Sequence, residues 1–168
     1  MPRSFDMATD YTATVEQVHR ALCDEKYWLA RLADSGADES RIDGFDIGRD
    51  GGIDVVTTQV LRADRLPAVI HQFHHGDLEI RRAETWTAIS DAGAQAVVAG
   101  SIAGAPVSLL CEGGLAPVEG LSRMAFRATV DVQIPLVGRK LENFISNQLE
   151  QLLIDEQRFT TIWISGKL

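Results

Sequence analysis

Three of the four histidines fall in one short stretch. His71, His74 and His75 are followed closely by Asp77 and Glu79. Imidazole is a common metal ligand and a base near neutral pH. The spacing matches no strong metal motif, however, and on an extended segment His74 and His75 point to opposite faces. The cluster therefore reads as an exposed edge or loop, and no metal is expected. A second constellation follows along a strand from Leu78 to Ile89, where Leu78, Ile80, Arg82, Glu84 and Trp86 share one face. If that face points inward, the two charges need partners, which each could supply to the other or to a ligand headgroup. A bulge near Arg81 would slip the register and put both in water. Alternation alone does not choose between these. Further on, Gln148, Asp155 and Glu156 border an apolar stripe. A polar group there could anchor a ligand, but residues so placed ordinarily flank the seam and reach solvent.

Other chemistry is harder to build. In Gly100-Ser101-Ile102-Ala103-Gly104 the serine stands one place too early for a nucleophile elbow. The glycine-rich stretches lack the Gly-Lys-Ser/Thr ending of a phosphate loop and the strand-turn-helix setting of a dinucleotide site. Cys23 and Cys111 are the only cysteines and have no CxxC spacing, which reads as two reduced, partly buried thiols. No catalytic residue is assigned, and no cofactor is expected.

The elements that must position these residues can be read from periodicity. Ser4 to Tyr11 alternates as a half-buried strand. Thr14 and Gln17 have capping-box spacing ahead of a short helix from Val15 to Cys23, and a second runs from Glu25 to Ala33. Period two then takes over. Strands are predicted over Arg41–Ile47, Ile53–Arg62, Leu78–Ile89, Gln95–Ile102 and Val107–Leu115. Asp50-Gly51-Gly52 is a hairpin signal, and Pro117 to Gly120 reads as a loop. Arg123 to Ile134 alternates most cleanly: Met124, Phe126, Ala128, Val130, Val132 and Ile134 take one face, as in an antiparallel sheet with one face on a core. Pro135 ends that strand. A long helix follows from Arg139 to Ser165, with Leu141, Ile145, Leu149, Leu152, Phe159 and Trp163 in an apolar stripe.

At 168 residues, with 45% hydrophobic and 24% charged content, the chain suits a single domain over 1–168 with one core. A net charge of −8 disfavours nucleic acid, and Arg81-Arg82 and Arg139-Lys140 are too short to reverse it. The first ten residues have no secretory signature, and no apolar run reaches the roughly 18 residues of a membrane span. The expectation is a cytoplasmic protein without stable membrane insertion. Strands gathered together with a terminal helix argue for an α+β fold rather than a parallel sheet. The predicted architecture is a curved antiparallel sheet wrapped around the C-terminal helix, with two short helices after the first strand.

This order resembles the helix-grip fold of the START-like and polyketide cyclase superfamily. The resemblance is carried by Thr14-Val15-Glu16-Gln17-Val18 continuing to Leu22-Cys23-Asp24 and Trp28, and by Ile134-Pro135-Leu136-Val137-Gly138 leading to Leu141-Glu142. The latter stretch is similar to an uncharacterised actinobacterial branch. The resemblance implies a cavity between sheet and long helix for lipids, polyketides or other small apolar or amphipathic molecules, and it implies no fixed catalytic residue. Arg82, Glu84, Trp86, Met124, Phe126, Val130, Leu141, Ile145, Gln148 and Leu152 are the candidate ligand-binding residues. The alternatives are a cyclase, dehydratase or hydrolase acting in the same cavity, and a protein-interaction module with a filled core.

Overall fold

The computed structural model describes residues 2–167. Strand β1 (Arg3–Tyr11) leads into helices α1 (Val15–Leu22) and α2 (Glu25–Asp34). Thr14 caps α1 through the expected reciprocal box: its hydroxyl accepts from the Gln17 N–H at 3.2 Å, and the Gln17 side chain accepts from the Thr14 N–H at 2.9 Å. Asp24 caps α2 by accepting the Lys26 N–H at 2.9 Å. These caps satisfy amides that a helix start leaves without partners.

Six strands follow: β2 (Glu39–Ile47), β3 (Ile53–Leu61), β4 (Leu78–Trp86), β5 (Ala94–Ile102), β6 (Val107–Val118) and β7 (Leu121–Val132). They join β1 in one antiparallel sheet of order β1-β7-β6-β5-β4-β3-β2. The first strand thus pairs with the last, and β2 forms the other edge. Between β3 and β4 lie a short 3-10 turn (Ala63–Arg65) and the one-turn helix α3 (Ala68–His71), elements that periodicity does not predict. The expected Pro117–Gly120 loop is shorter than predicted. Pairing continues to Val118 and Leu121, and only Glu119 (φ 51°) and Gly120 (φ 82°) make the turn. Two successive positive φ values match the right-handed twist of the strands they join.

Helix α4 (Gly138–Ser165) has 28 residues and is therefore about 42 Å long. It lies against β1 and β7 and against α1 and α2, so the sheet wraps a helix that sits toward one side of its concave face. The architecture is the helix-grip arrangement. Its largest apolar cluster joins α1 and α2 to the inner faces of β3 to β7, with Trp28, Trp86, Phe126, Leu153 and Phe159 among its members. A second cluster at the other end of the sheet centres on Val107, Val130, Val132 and Leu141.

Strand β6 can follow this curvature because Gly113 carries no side chain. A Cβ there would overlap the carbonyl oxygen of Ala125 on β7. Gly113→Ala is expected to destabilise the fold by about 3 kcal/mol through forced backbone displacement. Urea unfolding, read as a lower midpoint at unchanged slope, checks this.

Candidate functional site

The register of β4 settles the orientation of its charges. Its pairings with β3 and β5 run without a shift from Ile53↔Trp86 to Leu61↔Leu78 and from Ile80↔Ile102 to Trp86↔Ala96. There is no bulge at Arg81, so Arg82 and Glu84 stand on the concave face with Trp86. Each needs compensation inside the protein, and three elements provide it. Arg82 on β4 grips Glu156 of α4 through both oxygens, at 3.0 and 2.9 Å. Arg31 of α2 contacts Glu156 at 2.9 Å and Glu84 at 3.3 Å. Trp86 Nε1 donates to the second oxygen of Glu84 at 3.3 Å. The result is a quartet of two guanidinium and two carboxylate groups, with zero net charge. Glu84 is only 4% exposed.

Around the quartet the polar hydrogens run in one direction. Arg31 donates to the Tyr27 hydroxyl at 3.3 Å, and Tyr27 is bonded to Thr160. Thr160 spends its own hydrogen on the Glu156 carbonyl, so Tyr27 is the donor in that pair. The Arg31 guanidinium also lies 4.3 Å from the centre of the Trp28 ring, a cation–π distance. One donor is left over. Arg82 Nε is 2.9 Å from Glu84 but off the direction of its N–H, and it is the one buried side-chain nitrogen or oxygen without a hydrogen bond among the described residues.

Burial alone would raise the pKa of Glu156, but the Arg31 and Arg82 charges outweigh it and hold the carboxyl below its usual range. Burial works against the cationic form of Arg31, and Glu156, Tyr27 and Glu84 overcome it. Both guanidinium groups and Glu156 therefore stay charged at neutral pH. Burial also pushes the Cys111 thiol up to about 11, so at neutral pH it is a thiol rather than a nucleophilic thiolate.

The other sequence-selected residues separate into groups. Trp86, Met124 and Phe126 are buried in the larger cluster, where Trp86 and Phe126 meet edge to face at 6.3 Å. Val130 and Leu141 are fully buried in the second cluster, with Ile145 half-buried beside them. Gln148 is exposed, and Leu152 is 37% exposed. Gln148 and Leu152 thus stand beside the side of α4 that stays buried at mid-helix, which carries Ser146 and Leu153. Asp155 reaches solvent as expected, whereas Glu156 turns inward to the two arginines. His71 and His75 are exposed, and His74 bonds the Asp77 carbonyl at 2.8 Å. No metal-binding group of His, Cys, Asp or Glu occurs among the described residues.

Sequence reading missed Arg31, Tyr27 and Thr160. Arg31 stands three and four residues after Trp28 and Tyr27, so on a helix it shares their face. That spacing was a usable signal for an inward cation. Also missed was a run of half-buried residues on the concave face at the second-cluster end: Gln59, Leu61, Ile80, Ile102 and Leu109. Cross-strand register places them side by side. Gly100 lies directly opposite Arg82, and the Leu109 side chain packs over it, so the floor beside Arg82 is apolar. Across from this floor stand Ile145 and Leu149 of α4, with Val69 and Phe73 of the β3–β4 connection. This part of the concave face thus presents half-buried apolar side chains beside the charge-paired quartet. Two depressions elsewhere, about 370 Å³ over Ala8 and Ala125 and about 220 Å³ beside Thr14 and Ser90, lie outside the concave face.

The chain belongs to the family described as protein of unknown function DUF2505, whose profile matches residues 6–164. An uncharacterised protein of Mycobacterium tuberculosis, Rv0481c, is 47% identical over 174 residues, covering 100% of both chains. Among solved structures, the Zhui aromatase/cyclase from a Streptomyces species superposes with a TM-score of 0.63 at 7% identity, covering 98% of this chain and 94% of that one. Ara h 8.0201 superposes with a TM-score of 0.61 at 10% identity, covering 99% of both chains. Likeness at such identities establishes the fold alone, the helix-grip arrangement of sheet and long C-terminal helix.

Removing one member of the quartet leaves an uncompensated buried charge. Glu156→Gln is expected to cost about 3 kcal/mol in stability, and Arg82→Met with Glu156→Leu to cost less than Glu156→Gln alone. Because Glu156 has a lowered folded pKa, its contribution is complete above the usual carboxylate range and is lost as pH falls through the lowered value. The stability gap between wild type and Glu156→Gln should therefore shrink on acidification. Denaturant titrations at neutral and acid pH check both expectations.

Proposed function

We propose that this DUF2505 chain binds a small apolar or amphipathic molecule in the cleft between its sheet and α4. The observation that carries the reading is the incomplete cover of the concave face. Leu61, Ile80, Ile102 and Leu109 point inward yet are only half-buried, because α4 leans on β1 and β7. Inward apolar side chains that keep solvent contact are an opportunity for burial at about 25 cal/mol per Å² of apolar surface. The whole surface agrees: 9376 Å² is accessible for an 18.4 kDa chain, against roughly 8,200 Å² for a compact monomer of that mass. The fold shared with an aromatase/cyclase and with Ara h 8.0201 supports the same placement.

Charge pairing shapes what the cleft accepts. Each carboxylate of the quartet already meets a guanidinium, so a ligand carboxylate or ammonium next to it would have no free counter-charge. The buried end of the ligand is therefore uncharged, with at most neutral hydrogen-bonding groups. Arg82, Glu84, Ile145 and Leu149 are the residues placed to meet it, while Gln148 and Leu152 lie at the rim. Binding or sequestration needs nothing more. An enzymatic reading of cyclase or dehydratase type keeps one point in its favour: ionisable groups do stand inside, at Arg82, Glu84 and Glu156.

Native mass spectrometry of protein purified from its own host is expected to show a co-purified apolar species, and a neutral fluorescent probe is expected to bind. Leu109→Trp, which fills the floor, should weaken probe binding by about tenfold or more with the fold retained. A protein that carries nothing and binds probe identically with and without the tryptophan overturns the reading.

A further inference from the structure

The connection from β7 to α4 contains a residue that the fold does not use. Leu136 is fully exposed, at 106% relative accessibility, and has φ 71°, a conformation leucine rarely adopts. Its neighbours are anchored: Ile134 and Val137 pack into the second apolar cluster, beside Val69 and Phe73 at the mouth of the cleft. The backbone is therefore held while the Pro135-Leu136 tip projects. Arg139 and Lys140 follow at once, both exposed, and no acidic residue occurs between Gln133 and Leu141. Both basic residues stand in the first turn of α4, where they oppose the helix dipole, and that turn contains no acid. Helix stability does not explain them.

An apolar tip backed by a basic pair is matched by one kind of surface. We propose that this end of the molecule docks reversibly on an anionic lipid bilayer, with Leu136 entering the acyl boundary and Arg139 and Lys140 at the headgroups. A rigid protein partner is a poorer match, because a stable protein interface needs on the order of 800 Å² per side and a pocket for the protruding residue. A bilayer deforms around a single side chain and presents diffuse negative charge to the basic pair. The net charge of −8 does not prevent this, since solution salt limits the reach of distant charges to about 8–10 Å. The docking surface adjoins the cleft mouth, so an apolar ligand would pass between bilayer and protein with little exposure to water.

Sedimentation of the full chain with vesicles tests the proposal. Vesicles of equal parts phosphatidylcholine and phosphatidylglycerol should bind the protein about tenfold more tightly than phosphatidylcholine alone, and added salt should reverse the difference. Leu136→Asp, and separately Arg139→Glu with Lys140→Glu, should each lower that binding about tenfold, with thermal unfolding unchanged for Leu136→Asp. Leu136→Trp should keep binding and gain quenching by brominated acyl chains. Absence of phosphatidylglycerol-dependent binding, or equal binding by Leu136→Asp, overturns the proposal. So does a wild-type dimer in light scattering that Leu136→Asp dissolves, which would give the surface to a second copy. The outcome is separable from that of the cleft: a co-purified ligand without vesicle binding removes the docking alone, and vesicle binding without any ligand removes the cleft alone.

Discussion

The structure depends on four charges being neutralised away from bulk water. Arg31, Arg82, Glu84 and Glu156 come from α2, β4 and α4, and none could be buried alone, since an unpaired buried ion costs several kcal/mol. The bidentate Arg82–Glu156 pair sets both the rotation of α4 about its axis and its height above the sheet. Arg31 then ties α2 to the same point. Apolar packing tolerates sliding by fractions of a turn, whereas a two-point guanidinium–carboxylate pair does not. Well-packed hydrophobic residues in these positions would commonly be at least as stable, so the quartet is better understood as fixing an arrangement than as adding stability.

Fixing α4 at that point divides the interior. On one side, α1 and α2 close over Trp86, Phe126 and Leu115, and the side chains meet with little space. On the other side nothing of comparable bulk covers Ile80, Ile102 and Leu109. The short α3 connection reaches across with Val69 and Phe73, but one helical turn cannot cover a face that spans four strands. The closed end thus holds the fold together while the open end retains accessible apolar surface. The quartet lies at the boundary between them and gives the open end a polar floor without a net charge.

Much of this was legible in the sequence because it rests on local rules. The capping box at Thr14, the alternation from Met124 to Val132 and the unbroken helix after Gly138 each follow from one stretch of chain. The position of Glu156 does not. Its neighbours Asp155 and Gln157 have the same polar character, and only the arrival of Arg31 and Arg82, from sites 125 and 74 residues earlier in sequence, makes it a buried group. Leu152 illustrates the converse. Its spacing puts it in the apolar stripe, but burial requires a partner surface, and at mid-helix that surface meets Ser146 and Leu153 instead. The direction of Arg82 was undecidable for a third reason: register is a property of two strands, and one strand's alternation is compatible with either face.

The start of α4 shows how a helix can begin without the usual local support. Val137 provides no side-chain cap, and the first charges, Arg139 and Lys140, have the wrong sign for the dipole. Tertiary contacts substitute for both. Leu141 is completely buried. The Glu142 carboxylate accepts the Val132 N–H at 3.2 Å, locking the helix to the end of β7, and Gly138 lets the backbones approach, since a Cβ there would lie 2.9 Å from the Val132 carbonyl oxygen. A helix anchored from its inner side has no need of a polar cap on its outer side. That frees the connecting loop to present an apolar residue to solvent, and it frees the first turn to carry positive charge in an acidic protein. Local stability was available at these positions from an aspartate or serine cap, and the chain does without it.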